Sequence, residues 1–158
     1  MKADLSQIDF HLATLKVTTE IFADLALRIA DSQSRIRPER DEWSLHEILA
    51  HLHACAEVWG DDIDRMLATD GTRYTKPHPR TIMKLAQHTD PSFAEASASF
   101  GSLRSHLISI LQLLNAISWD RCAKINGRNH TIFTQVRRMA LHEEAHRAQI
   151  EATLASIA

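Results

Sequence analysis

The sequence predicts an all-α protein, a four-helix bundle with a long connection between its second and third helices. The chain of 158 residues contains 4 glycines and 4 prolines, and it has no extended alternation of apolar and polar residues of the kind that marks a half-buried strand. Four segments instead repeat apolar residues at helical spacing, and four long amphipathic helices in one chain pack most simply as a bundle. A single domain, residues 1–158, accounts for this length.

The first two helices have clear apolar faces and end signals. The first predicted helix ends near Ser34, because Pro38 follows, and its inward positions are Leu5, Ile8, Leu12, Leu15, Phe22, Leu25 and Ile29. The second begins after Ser44, where Glu47 three residues later completes a capping box. It ends near Gly71, and its inward positions are Leu45, Ile48, Leu52, Cys55, Trp59, Ile63 and Met66.

A polar connection of about twenty residues follows the second helix, which is longer than the usual link between neighbouring helices of a bundle. A short helix at "TIMKLAQH", residues 81–88, can interrupt this connection. The third long helix starts at "DPSF", and its inward positions are Phe93, Phe100, Leu103, Leu107, Ile110, Leu114 and Ile117. The fourth runs from about Thr131 to Ile157, with Ile132, Val136, Met139, Ile150, Leu154 and Ile157 inward.

Three histidines are candidate metal ligands. His142 and His146 lie about 40° apart around the fourth helix, because each residue turns an α-helix by about 100°, so both imidazoles can approach one point between helices. His51 lies similarly on the flank of the second apolar stripe, whereas His46 and His53 point away from it, toward solvent or a partner. Three imidazoles are the ligand count of many catalytic zinc sites. The alternative is that these histidines are exposed or simply hydrogen-bonded.

The segment "HEEAH", residues 142–146, also satisfies the H-E-x-x-H pattern of zinc proteases. One protease type needs a glutamate ligand far downstream, but only a short segment follows His146. The other type, H-E-x-x-H-x-x-G-x-x-H, fails because Gln149 replaces its glycine and Ala152 its last histidine. The sequence therefore excludes a zinc protease on its missing third ligand.

Two segments resemble the signature segments of the DinB-like superfamily. They are "WSLHEILAHL" in the second helix and H-x-x-x-H-R-A-Q-I in the fourth. The resemblance implies a four-helix bundle, often a homodimer, in which His51, His142 and His146 bind a divalent metal ion such as zinc or nickel. This chain has Ala148 where the family more often has glycine, a difference that leaves the ligands unchanged.

The same resemblance implies a reaction on a small molecule. The expected activity is that of a metal-dependent hydrolase or a thiol-dependent S-transferase, in which a low-molecular-weight thiol is activated at the metal and attacks a small electrophilic substrate. No residue outside the metal set receives a catalytic role from the sequence. The alternative is a non-catalytic bundle, in which a structural metal braces the helices or the dimer surface is the function.

Other polar residues near the candidate ligands have open interpretations. Glu143 projects toward the apolar arc of the fourth helix and needs a partner there. It either supports a ligand imidazole or metal-bound water, or forms a buried salt bridge with an arginine of a neighbouring helix. Cys55, one turn after His51, is a fourth ligand, a reactive thiol or a packed side chain. An anion site or a solvated helical face explains the arginines Arg128, Arg137, Arg138 and Arg147.

Charge and composition exclude several partners. The chain has 18 Lys and Arg against 20 Asp and Glu, a net charge of −2, which gives no general attraction to nucleic acid or to an anionic membrane. No apolar run approaches the roughly 20 residues that cross a bilayer. Cys55 and Cys122 have no C-x-x-C spacing, and the first residues lack the layout of a signal peptide. We therefore expect a cytoplasmic protein without nucleic-acid or membrane partners.

Overall fold

The computed structural model describes residues 3–158, with the side chain of Leu5, one of the predicted inward positions, outside the described part. Four long helices form the body of the protein: α1 (Leu5–Arg28), α3 (Leu45–Ala68), α5 (Phe93–Gln112) and α7 (Ile132–Ile157). Three short helices lie between them: α2 (Asp31–Ser34), α4 (Pro79–Leu85) and α6 (Ala116–Trp119). In residues 3–158, no helix has both the length and the apolarity that crossing a membrane requires.

The long helices pack as the predicted four-helix bundle. Among the long helices, α1 packs against α5 and α7, and α3 packs against the same two. Helix α3 also packs against the short helix α4. Helices α1 and α3 therefore lie across a diagonal of the bundle, although they follow each other in the chain. The long connection between the second and third long helices is also confirmed, and it contains the expected short helix as α4. The contact between α3 and α7 brings the two predicted ligand segments face to face.

Local hydrogen bonds set the starts of three long helices. The Ser44 hydroxyl accepts from the backbone N–H of Glu47, and the Glu47 carboxylate accepts from the backbone N–H of Ser44. The predicted capping box is therefore confirmed. Helix α5 begins with the equivalent pair Ser92 and Glu95, and α7 begins at the cap Thr131.

The predicted end of the first helix is wrong. Helix α1 ends at Arg28, and Ser34 belongs to the separate short helix α2. The break between α1 and α2 places the Asp31 carboxylate where it accepts a hydrogen bond from the backbone N–H of Phe93 at 2.7 Å. That bond satisfies an amide at the start of α5, which has no partner within its own helix.

The predicted end of the third helix is also wrong. Helix α5 ends at Gln112, so Leu114 and Ile117 do not continue its inward face, and Ile117 is 82% exposed. Asn115 causes the change, because its side chain accepts from the backbone N–H of Ser118 and caps the new helix α6.

A small three-stranded sheet corrects the expectation that the chain has no strands. Strand β2 (Cys122–Ile125) pairs in parallel with β1 (Thr72–Tyr74) and antiparallel with β3 (Arg128–Thr131). Strands of three or four residues are too short to show alternation in the sequence. The sheet ties the long connection to the hairpin that precedes α7, and both then lie beside the candidate ligands.

Candidate metal centre

The three histidines proposed as ligands converge between α3 and α7. His51 extends from α3, and His142 and His146 lie one turn apart on α7. The Nε2 atom of His142 is 3.2 Å from Nε2 of His51 and 3.2 Å from Nε2 of His146. One donor atom from each of the three side chains lies within 4.8 Å of the other two. The fold therefore assembles the three residues that the sequence separates.

The geometry of these nitrogens fits a divalent metal ion. Imidazole nitrogens bind zinc at about 2.0–2.1 Å, so two of them on a tetrahedral ion are about 3.3–3.4 Å apart. The two observed separations of 3.2 Å are close to that value. Imidazole suits zinc and nickel alike, so the donor set is consistent with either metal.

Burial keeps two of these imidazoles neutral, which is the form that binds metals. It lowers the pKa of His51 to about 4 and the pKa of His142 to about 3, and the neighbouring His146 adds to both effects. Nδ1 of His146 lies 2.7 Å from Oε1 of Gln149. When the Nδ1–H donates to this amide oxygen, Nε2 is left as an acceptor that faces the other two rings.

A cavity of about 760 Å³ opens above the three imidazoles. Its walls include Trp59 of α3, the connection around Lys76 and Arg80, and the hairpin residue His130. This volume is typical of sites for small molecules. Sequence reasoning missed Lys76, Arg80 and His130 as lining residues. The pair Asn-Gly at residues 126 and 127 is a hairpin signal that could have located His130, whereas no local signal marks the other two.

Two of the four arginines considered for an anion site line this cavity. They are Arg128 on β3 and Arg138 on α7. Arg137 is exposed and does not line the cavity. Arg147 forms an exposed ion pair with Glu144 at 3.2 Å, also outside the cavity.

Comparison with known proteins identifies the family. A family model described as the DinB superfamily matches residues 14–150. The chain belongs to the DinB superfamily. A solved structure with a similar fold is YfiT from Bacillus subtilis, described as "a probable metal-dependent hydrolase with an unusual four-helix bundle topology". The TM-score is 0.81 at 14% sequence identity, and the match covers 96% of this chain and 88% of YfiT. No curated protein sequence matches significantly.

Glu143 of this DinB-superfamily chain forms the buried salt bridge that was one of its two interpretations. Its carboxylate contacts Nη2 of Arg104 on α5, and the side chains are 2% and 1% exposed. Burial raises the pKa of Glu143, and the charge of Arg104 opposes that shift. Within residues 3–158, Glu143 makes no hydrogen bond to a candidate ligand. The geometry therefore gives no support to its role as a direct partner of those imidazoles.

Cys55 lies beside the candidate ligands as a neutral thiol. Its Sγ is 3.6 Å from Nε2 of His51, and burial raises the pKa of the thiol to about 12. The sulfur is not part of the three-histidine donor group. This environment favours the packed side chain among the three interpretations of Cys55.

The expectation that His46 points to solvent or a partner is wrong. Its side chain is 1% exposed, and its ring lies 5.9 Å from that of Phe93, measured between centroids. The start of α5 covers this face of α3, which the helical angle alone does not reveal.

The expectation for His53 is also wrong, because it belongs to a second cluster with Glu57 and His88. His88 Nε2 lies 2.8 Å from a Glu57 oxygen, and the rings of His53 and His88 stack 4.5 Å apart at 23°. Nearly parallel, stacked rings do not share a plane in which both nitrogen lone pairs could meet one ion. The hydrogen bond between His88 and Glu57 joins the end of the long connection to α3.

Proposed function

We propose that this chain is a divalent-metal-dependent enzyme that joins a low-molecular-weight thiol to a small electrophilic substrate. The observation that carries the proposal is the convergence of His51, His142 and His146 beneath an open cavity. A divalent ion bound there would stabilise a thiolate over a thiol near neutral pH. Membership of the DinB superfamily supports the three histidines as metal ligands. The proposal of a thiol as the second reactant rests on the resemblance of the two signature segments to that superfamily.

The side chains of this protein have distinct tasks in that reaction. The three imidazoles are the proposed metal ligands, and Gln149 holds the ring of His146 in its orientation. The cavity holds the electrophile so that the sulfur forms a bond to its reactive carbon, while the leaving group departs with its bonding electron pair. The proton of the thiol leaves to solvent through the open side of the cavity.

Hydrolysis is the second candidate, because YfiT is described as a probable metal-dependent hydrolase. A hydrolase of the zinc-protease kind uses a carboxylate as base toward water. In the described part of this chain no aspartate or glutamate lines the cavity, and Glu143 is paired with Arg104 behind it. The absence of this base among the described residues separates the site from the zinc-protease kind of hydrolase.

A purely structural metal is the non-catalytic alternative. Structural zinc sites enclose the ion with four protein ligands, whereas catalytic sites keep a position open. Three imidazoles beneath a cavity of about 760 Å³ have the second arrangement. This observation supports an enzyme over a bundle that a metal merely braces.

Metal content tests the ligand set directly. We expect the protein, purified without a histidine tag, to contain about one zinc or nickel ion per chain by elemental analysis. His51→Ala, His142→Ala and His146→Ala each lose the ion, whereas the exposed His106→Ala keeps it. The helical circular dichroism of the His142→Ala variant stays near that of the wild type, because the bundle has an extensive apolar core.

His53→Ala serves as a second control because it removes one member of the other histidine cluster. Loss of the ion in His53→Ala, with the ion kept in the three variants of the proposed ligands, would overturn the ligand assignment. Cobalt-loaded protein then separates the two classes of function. A new sulfur-to-cobalt absorption band on adding 2-mercaptoethanol requires an open position, whereas an unchanged spectrum supports a closed structural site.

A further inference from the structure

The charged residues that line the cavity above the histidines are positive. Arg80, Arg128 and Arg138 contribute guanidinium groups to its wall, and Lys76 contributes an ammonium group. In the described part of the chain, no aspartate or glutamate is a lining residue. The protein as a whole carries a net charge of −2, so this concentration of positive charge does not follow from the overall composition.

The charge of Lys76 is compensated within the protein. Its Nζ contacts a carboxylate oxygen of Asp62, which is buried. The same carboxylate accepts from the Tyr74 hydroxyl at 2.7 Å and from the Gln135 amide at 3.2 Å. Lys76 is therefore committed to a buried network and is a weaker candidate for binding a ligand.

The three arginines have no such partner. Within residues 3–158, none of them lies within 4.0 Å of a carboxylate oxygen, and none donates a side-chain hydrogen bond to another residue. The guanidinium groups of Arg80 and Arg138 lie 5.4 Å from the ring centroids of Trp43 and Trp59, respectively. An aromatic face attracts the cation without accepting its N–H groups as a carboxylate does, so these donors stay available.

The three arginines are exposed residues, but they do not belong to one solvated helical face. Arg80 lies on α4, Arg128 on β3 and Arg138 on α7. The sheet and the long connection bring these three separate elements around one concavity. A solvated helical face, by contrast, presents its charges along one helix and away from any cavity.

Neutral imidazole ligands give a second reason to expect a bound anion. They would leave both charges of a divalent ion uncompensated, and the three guanidinium groups would raise the local positive charge further. The nearest buried carboxylates are already paired, Asp62 with Lys76 and Glu143 with Arg104. An anionic molecule bound in the cavity would supply the compensating negative charge.

We infer that Arg80, Arg128 and Arg138 form an oxyanion-binding site in the wall of the cavity, which recognises a carboxylate or phosphate group of the small-molecule substrate or cosubstrate. This inference rests on the proposed function for the identity of the bound molecule as a reactant, although the site itself does not need the metal. Guanidinium groups suit both anions, because their N–H donors match carboxylate and phosphate oxygens in pairs.

Calorimetric titration of the metal-free protein at low salt tests the inference with three ligands of similar shape. We expect benzoate or phenyl phosphate to bind at least about tenfold more tightly than neutral benzamide, because charge-assisted hydrogen bonds are lost with the amide. The tighter of the two anions identifies the group as carboxylate or phosphate. Equal affinity for the anions and benzamide, or no measurable binding of either anion, would overturn the inference.

The double variant Arg128→Gln/Arg138→Gln should weaken anion binding by at least about tenfold and leave benzamide binding unchanged. Arg137→Gln is the matched control, because it removes an arginine next to Arg138 that does not line the cavity. An equal loss in the control would also contradict the site. The metal content of the same proteins as purified, before the metal is removed for calorimetry, keeps the two proposals apart. Anion selectivity in a protein that contains no metal as purified refutes only the metal-dependent function. A protein that contains metal as purified but shows no anion selectivity refutes only the anion site.

Discussion

Arg104 and Glu143 form the most completely buried ion pair in the described part of the chain. They join α5 to α7 with side chains that are almost completely enclosed. Glu143 also directly follows His142, so the salt bridge constrains the rotation of α7 that aims His142 at His51. Burying two charges costs desolvation energy that their attraction offsets only when both partners are present. The pair therefore restricts the helix orientation more than it adds to stability.

Removing one partner of the Arg104–Glu143 pair should lower the free energy of unfolding more than replacing both partners with apolar residues. We expect Arg104→Met to lower the free energy of unfolding by about 3–5 kcal/mol, because it leaves an unpaired carboxylate in the core. The double variant Arg104→Met/Glu143→Leu should recover most of that loss. Urea unfolding followed by circular dichroism measures both values. The exposed pair supplies the control, since Arg147→Met should cost less than about 1 kcal/mol. A double variant that is at least as unstable as Arg104→Met alone would contradict this account.

The hairpin of β2 and β3 is the element that completes the wall of the cavity. Its two-residue turn consists of Asn126 and Gly127, with φ angles of 48° and 82°. Both angles are positive, as a type I′ turn requires, and Asn-Gly is a preferred pair for that turn. The Asn126 side chain also accepts from the backbone N–H of Lys76 at 3.0 Å, which joins the turn to the long connection. The turn thereby holds Arg128 and Lys76 on the same side of the bundle.

Two glycine substitutions should have opposite effects. Gly127→Ala should destabilise the protein by about 1 kcal/mol, because an L-residue at this positive φ is strained whatever space surrounds it. Gly101→Ala, inside α5 with no atom near the added Cβ, should stabilise it by about 0.5–1 kcal/mol. Thermal unfolding of the two variants beside the wild type checks the signs. A stabilising Gly127→Ala would show that the turn does not keep this conformation in solution.

The elements also show which features the sequence could predict. The starts of α3 and α7 were predictable, because the cap Ser44 and the apolar spacing after Thr131 act within a few residues. The pairing of β1 with β2 was not, because it joins distant segments through three residue pairs. The burial of His46 was missed for the same physical reason, since a distant segment, the start of α5, covers it.

At the scale of the whole molecule, the candidate ligands were easier to predict than their surroundings. His142 and His146 share one helix, and the position of His51 on its own stripe directs it toward them, so helical periodicity brings the three together. The arginines around them depend on the sheet and the long connection, which have no local signal of comparable strength. The homodimer that the family resemblance implies stays a prediction, and the molar mass in solution from light scattering will check it.

The buried histidines should make the stability of the whole metal-free protein depend on pH. The pKa values of His51 and His142 are lowered from 6.5 to about 4 and about 3. Between these values and 6.5 the unfolded chain binds more protons than the folded protein, so the free energy of unfolding falls as the pH falls. For His51 alone, the free energy of unfolding should fall by about 3 kcal/mol in total as the pH falls from above 6.5 to below about 4. Urea unfolding from about pH 7 to pH 5, after treatment with a chelator, measures this slope.

A variant separates this effect from the general titration of carboxylates. His142→Gln removes one of the two groups and should give a visibly shallower slope between about pH 7 and pH 5. The exposed His106→Gln should keep the slope of the wild type, because no comparable burial acts on it. Identical slopes in all three proteins would mean that His142 is accessible to protons in the folded state. Burial would then not lower the pKa of His142, and its imidazole would be protonated near pH 5.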